Sequence, residues 1–168
     1  MKISEGTISV LVGCHSWFHC LLVLISWIKL YRKPPAFWEL CCIFIHDVGH
    51  IGKDYLSDDN LKKIHWVLGA NLAYGLFGQK GYDLIAGHCS ESGRQQSKLY
   101  KPDKYSWYIA PMWWLVIANI VEPNIRKPGQ GALEEAIIFK AKVRDSIESG
   151  QYRSTHAIYL ENKYGGEP

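Results

Sequence analysis

Five of the seven histidines in this chain fall in or beside otherwise apolar helical segments. The seven are His15, His19, His46, His50, His65, His88 and His156. Burying so many imidazoles without partners is costly, so any fold that takes these segments into its core must also bring the rings to partners. Metal coordination is one arrangement that does this. The sharpest local pattern is Phe44-Ile45-His46-Asp47-Val48-Gly49-His50. There, His46 and Asp47 close an apolar segment, where an ionised Asp rarely sits unless it is paired or bound to a metal. An adjacent His and Asp at a helix end can converge on a cation just beyond that end. His50 follows His46 at a one-turn spacing and can lie on the same side.

Helical patterning dominates the rest of the chain, and strand signals are weak. The spacing of apolar residues predicts helices over 8–31, 35–49, 59–77, 81–88, 102–121 and 132–149. Pro34 and Pro35 separate the first two, Ser57 or Asp58 is placed to cap the third, and Gly78 to end it. The polar stretch from Cys89 to Lys101 reads as a loop, and Pro123 and Pro128 end the fifth helix. The polar tail over about 150–168 is expected to end in disorder. The expected class is all-α, a bundle of about six or seven helices in one domain over 1–168.

Composition narrows the function. A chain of 168 residues suits a single core. Its net charge of +3 is mild and its Lys and Arg are dispersed, which argues against binding a nucleic acid duplex. Five cysteines, an odd number without a CxxC, read as reduced and buried, and Cys41-Cys42 as packing. That favours a cytoplasmic protein. Residues 7–28 carry no formal charge and are long enough to span a bilayer, but they include Ser9, Gly13, His15, Ser16 and His19. A mostly buried helix with one polar stripe facing a site explains this better than a membrane anchor. A cleaved leader is not expected, because no small-residue cleavage site precedes Tyr31. GxSxG, Walker-type and HExxH motifs are all missing.

The order His15, His46-Asp47, Asp103 resembles the H…HD…D signature of the HD superfamily of metal-dependent phosphohydrolases. The stretch His65-Trp66-Val67-Leu68-Gly69-Ala70 is similar to the H…GA helix of members with extra histidines. Gly87-His88 is similar to their next His, and Pro102-Asp103-Lys104 to their closing motif. The likeness covers about residues 10–115, and its H…HD…H…H…D order is that of the two-metal branches. The chain departs from the family where a Lys often follows HDxG: here stands His50, with Lys53 nearby. Nothing after Pro123 resembles the family.

The resemblance implies an HD-domain-like bundle and one or two divalent transition ions, of Fe, Mn, Co, Zn or Ni. One ion would take His15, His46, Asp47 and Asp103; a second would share Asp47 and take His65 and His88. Asp47, His50 and Lys53 are the candidate catalytic residues. The implied reaction is hydrolysis of a phosphate ester or anhydride of a nucleotide or dinucleotide by metal-activated hydroxide. Arg94, Lys98 and Lys104 are the cations placed to meet the anionic substrate. His19 reads as a packed neighbour of the ligands and His156 as a surface residue. Trp107, Tyr108, Trp113 and Trp114 read as core. Two rival readings are a non-catalytic HD-like module binding a nucleotide or protein, and an HD-fold di-iron oxygenase.

Overall fold

The computed structural model describes residues 3–54, 59–127 and 129–165. Among these the chain is helical, with no strand. Its α-helices are α1 (Glu5–Val12), α2 (Trp17–Tyr31), α3 (Phe37–Ile45), α4 (Asp59–Lys63), α5 (Trp66–Phe77), α6 (Gln79–Ala86), α7 (Tyr100–Ile109), α8 (Met112–Val121), α9 (Ala132–Glu148) and α10 (Thr155–Tyr164). The all-α expectation holds. The helices are more numerous because three predicted ones are each split, and because the tail forms one of its own. The proposed caps Ser57 and Asp58 lie outside the described residues.

The splits fall at identifiable positions. The first helix breaks over residues 13–16, where Gly13 leaves helical geometry at φ −100° and ψ −147°. The Glu122 carboxylate occupies the space a Cβ on Gly13 would need. The third breaks after Lys63, and His65 becomes the residue before α5. The fifth breaks at Ala110, which Pro111 forces into extended backbone at ψ 130°. The carbonyls freed at the end of α7 are collected by one side chain. Lys140 Nζ from α9 donates to the Trp107, Tyr108 and Ala110 oxygens, at 3.2, 2.6 and 2.6 Å. A cation there also suits the negative end of the α7 dipole.

Two apolar clusters form the interior, and α2 feeds both. Cys20, Val23 and Trp27 of α2 pack with Cys42 and Ile43 of α3, Ala70 and Ala73 of α5, and Leu84 and Ile85 of α6. Leu22 of α2 joins Trp107, Trp114, Leu115, Ala136, Val143 and Ile158 in the second. Trp113, expected in the core, is 58% exposed: it lies beside Trp114 on α8, on the side turned away from the cluster. The tail, expected to be polar and to end in disorder, forms α10 over its described part, where Ile158 and Tyr159 are buried against α9. Cys20, Cys42 and Cys89 are buried, and all five thiols are free. No single helix among the described residues is long and apolar enough to cross a membrane; α1 and α2 pass such a test only as a pair bent by 55°.

Candidate metal centre

The seam between the two clusters collects the polar residues that the apolar helices cannot dissolve. His15 sits in the break before α2 and His19 in the first turn of α2. His46 caps the C-terminus of α3, Asp47 follows, and His50 ends the short 3₁₀ turn Val48–His50. His65 precedes α5, His88 follows α6, and Asp103 lies within α7. His46, Asp47, His50, His88 and Asp103 are all buried. Two glycines permit this crowding. A Cβ on Gly69 would meet the carbonyl oxygens of Ile45 and His46 at 2.6 and 2.8 Å, and one on Gly49 would strike the His65 carbonyl. Bare backbone at both positions lets α3, the 3₁₀ turn and α5 close up, and the His50 and His65 rings stack 4.6 Å apart.

Asp47 is the hub. Its Oδ2 lies 3.1 Å from His46 Nε2 and 3.5 Å from His19 Nε2. Its Oδ1 lies 3.6, 3.7 and 3.9 Å from Nε2 of His88, His65 and His50. Asp103 Oδ1 approaches His19 Nε2 at 3.1 Å and His46 Nε2 at 3.8 Å. His15, Asp47 and His50 form one group whose donor atoms lie within 4.8 Å of one another. His19, His46 and Asp103 form a second, and His46, Asp47 and His88 a third. These overlapping groups could hold a metal ion.

In four of the rings the second nitrogen fixes which atom faces inward. His46 Nδ1 donates to the Ile43 carbonyl at 2.7 Å, and His88 Nδ1 to the Ile85 carbonyl. The Ser106 hydroxyl donates to the Asp103 carbonyl, so its oxygen receives the Nδ1 proton of His19 at 3.4 Å. His15 Nδ1 is bonded to Ser9 Oγ at 2.7 Å. Nε2 of His46, His88 and His19 therefore faces the carboxylates, and His65 and His88 bring their Nε2 atoms within 3.3 Å. Facing lone pairs repel unless a proton or a cation lies between them. Oriented imidazoles of this kind are the usual supporting arrangement of a metal site. Imidazole with carboxylate suits a transition ion, so the residues present fit the expected cofactor.

Burial opposes charging of His46, but the Asp47 charge and the bonds to Asp103 and Asp47 outweigh it and hold its pKa well above the ordinary imidazole value. Burial likewise opposes ionisation of Asp47, and the surrounding histidines, His46 first, hold it well below the carboxylate range. For Asp103 the decisive counter to burial is Lys104, whose Nζ is 2.6 Å from Asp103 Oδ2. Lys104 is only 7% exposed, and the Asp103 charge raises its pKa despite burial.

All six expected ligands are brought together, and His50 and Lys104 lie with them. Four readings are corrected. Arg94 and Lys98 line a separate surface groove, where Arg94 stacks over Tyr82 and Lys98 pairs with Glu39. The loop carrying them turns outward before α7. Lys53 does not line the cleft; its carbonyl instead anchors Gly6 at the start of α1. His19, read as a packed neighbour, belongs to the donor set, and its one-turn spacing from His15 was the available signal. His156, read as a surface residue, lines the cleft with Ser154 and Thr155, because the tail returns to it as α10. Lys63 and Glu91 also line the cleft, and no sequence pattern marked them. Bonds from Cys89 and Ser90 offset the effect of burial on Glu91 and hold its pKa down at about 2. Ser154 donates to its other oxygen, which ties the tail to the cleft. No protein-family model, curated protein or solved structure matches this chain.

Proposed function

We propose that this chain is a metal-dependent phosphohydrolase of the HD type, acting on a phosphate ester or anhydride of a nucleotide or dinucleotide. The observation that carries this reading is the convergence of six imidazoles on two buried carboxylates, with one buried ammonium beside them. His15, His46, Asp47, His65, His88 and Asp103 would hold one or two divalent transition ions, with His19 and His50 within reach of the same carboxylates. A bound ion of this kind lowers the pKa of water to near neutrality and neutralises charge on phosphate oxygens during in-line displacement.

The protein's own residues divide the remaining tasks. Asp47 orients the rings around it and is kept ionised by them. Lys104 holds Asp103 in place and adds positive charge where a phosphate would approach. Lys63 supplies a second cation at the cleft, taking the part expected of Arg94 and Lys98. His156, on α10 and outside the ligand groups, is placed to give a proton to a departing oxygen. Five free thiols support a reducing, cytoplasmic setting for the reaction.

The test is elemental analysis of protein purified without added metal or chelator, alongside Asp47→Ala, followed by a screen of nucleotides for phosphate release. One or two transition ions per chain, lost in the variant together with phosphate release, is the expected result. A chain that carries no ion and takes up no added Mn, Fe, Co or Zn overturns the reading and favours a non-catalytic binding module.

A further inference from the structure

A second cavity shares the wall of the metal centre. His15, Trp107 and Thr155 line both spaces. The second lies between α7, α8, α9 and α10 and is partly open to solvent. Leu115, Ile125 and Phe139 give it apolar walls, and the Trp107 and Phe139 rings meet edge to face at 5.7 Å.

Beside Cys14, His15, Thr155 and Tyr159, its polar lining is Asn119, Glu122 and Glu135. Asn119, 4% exposed, spends its Nδ2 on the Leu115 carbonyl at 2.9 Å, which fixes the amide orientation. Its Oδ1 has no partner among the described residues. Glu135, 3% exposed, accepts from Asn162 Nδ2 on one oxygen, and its Oε2 has no partner among the described residues. Burial raises the Glu135 pKa; the Asn162 bond and the more distant Lys142 and Arg126 only partly oppose this. Glu122 contributes a further buried carboxylate, one oxygen of which receives the Cys14 N–H. The Tyr159 hydroxyl is spent on the Asn124 carbonyl. The cavity thus offers buried acceptors. Buried acceptors left unmet are costly, and a ligand that brings N–H donors removes that cost. A phosphate would be repelled here.

We infer that this cavity receives the organic part of the substrate, and that this part is an apolar body carrying an amino group, directed to Glu135 Oε2 and Asn119 Oδ1. The inference rests on the phosphohydrolase reading for the placement of the phosphate beyond His15. The shared chemistry is the N–H donor, which an aminated nucleobase or an alkylammonium group would each supply. An alkylammonium would gain further from the Trp107 and Phe139 faces.

The experiment uses matched pairs in which the amino group is removed or replaced. Adenosine against purine riboside, and ethanolamine against ethylene glycol, are titrated by calorimetry into the protein as purified. The 5′-monophosphates of the two nucleosides, and the phosphate monoesters of the two alcohols, are compared as substrates. At least a tenfold preference for the amino member of one pair is expected in both Kd and kcat/KM. The pair that shows it identifies the source. In Glu135→Gln, checked by its melting curve for folding, that ratio falls toward one, because an amide N–H replaces the acceptor. Asn119→Leu reports the same ratio independently. Hydrolysis of p-nitrophenyl phosphate with no preference in either pair overturns the inference and leaves the hydrolase standing. Amine binding lost in Glu135→Gln, with no hydrolysis of any phosphate, supports the cavity and overturns the hydrolase. An amino preference that survives both substitutions overturns the assignment.

Discussion

Asp47 and Glu135 are both buried carboxylates, and their neighbours drive them in opposite directions. Imidazoles surround Asp47 and hold it ionised despite burial, whereas burial dominates at Glu135 and pushes its pKa up. The sign for Glu135 is definite. A carboxyl harder to ionise in the folded chain contributes its full stability below the unfolded value of about 4.3, and loses it as pH rises through the raised native value. Glu135→Gln is therefore expected to melt with the native chain near pH 4 and above it near pH 7. A melting-temperature difference that does not grow over this interval would contradict the burial argument. This residue was not legible beforehand, because nothing in the mixed-charge pattern of 132–149 sets Glu135 apart from Glu134. His46 and Asp47 were legible, because an ionisable pair closing an apolar segment conflicts with its own surroundings. Arg94 and Lys98 misled because a loop's direction is not written in its composition.

At the scale of elements, the site is assembled by close approach of helix ends. Gly69 lies where α5 crosses the end of α3, with the Ile45 and His46 carbonyls inside Cβ contact distance. Gly69→Ala must push these elements apart, and overpacking of this kind costs about 1–3 kcal/mol. Denaturant midpoints should show that loss, and metal affinity should fall with it, since the displaced carbonyl belongs to a proposed ligand. A variant as stable as the parent would show that α3 and α5 are not in close contact there. Helical content was readable from periodicity, but segmentation was less so. Pro111 gave a local reason for the break before α8 that the run of apolar residues on either side concealed. The break at Gly13 depends on Glu122, more than a hundred residues away, and no local pattern carries that. Likewise α10 exists because α9 offers a surface that buries Ile158 and Tyr159.

For the whole molecule, the seam between the two apolar clusters is also where the proposed ligands meet. A cation held there stabilises the folded chain by mass action, by about 2.7 kcal/mol at a hundredfold excess over Kd. For a chain of this size that is a melting shift of roughly 5–10 °C, which a scan with and without a tight chelator measures. No shift would mean the imidazoles are satisfied by protons alone. The ligands run from His15 to Asp103, so one ion would tie off a loop of nearly ninety residues in a chain whose cysteines form no cross-link. The bond so made is reversible and set by concentration, unlike a covalent staple. The working lifetime of the protein would then follow the free metal around it as closely as the temperature, and starvation for that metal would be felt first as a loosening of the two halves at their shared helix, α2.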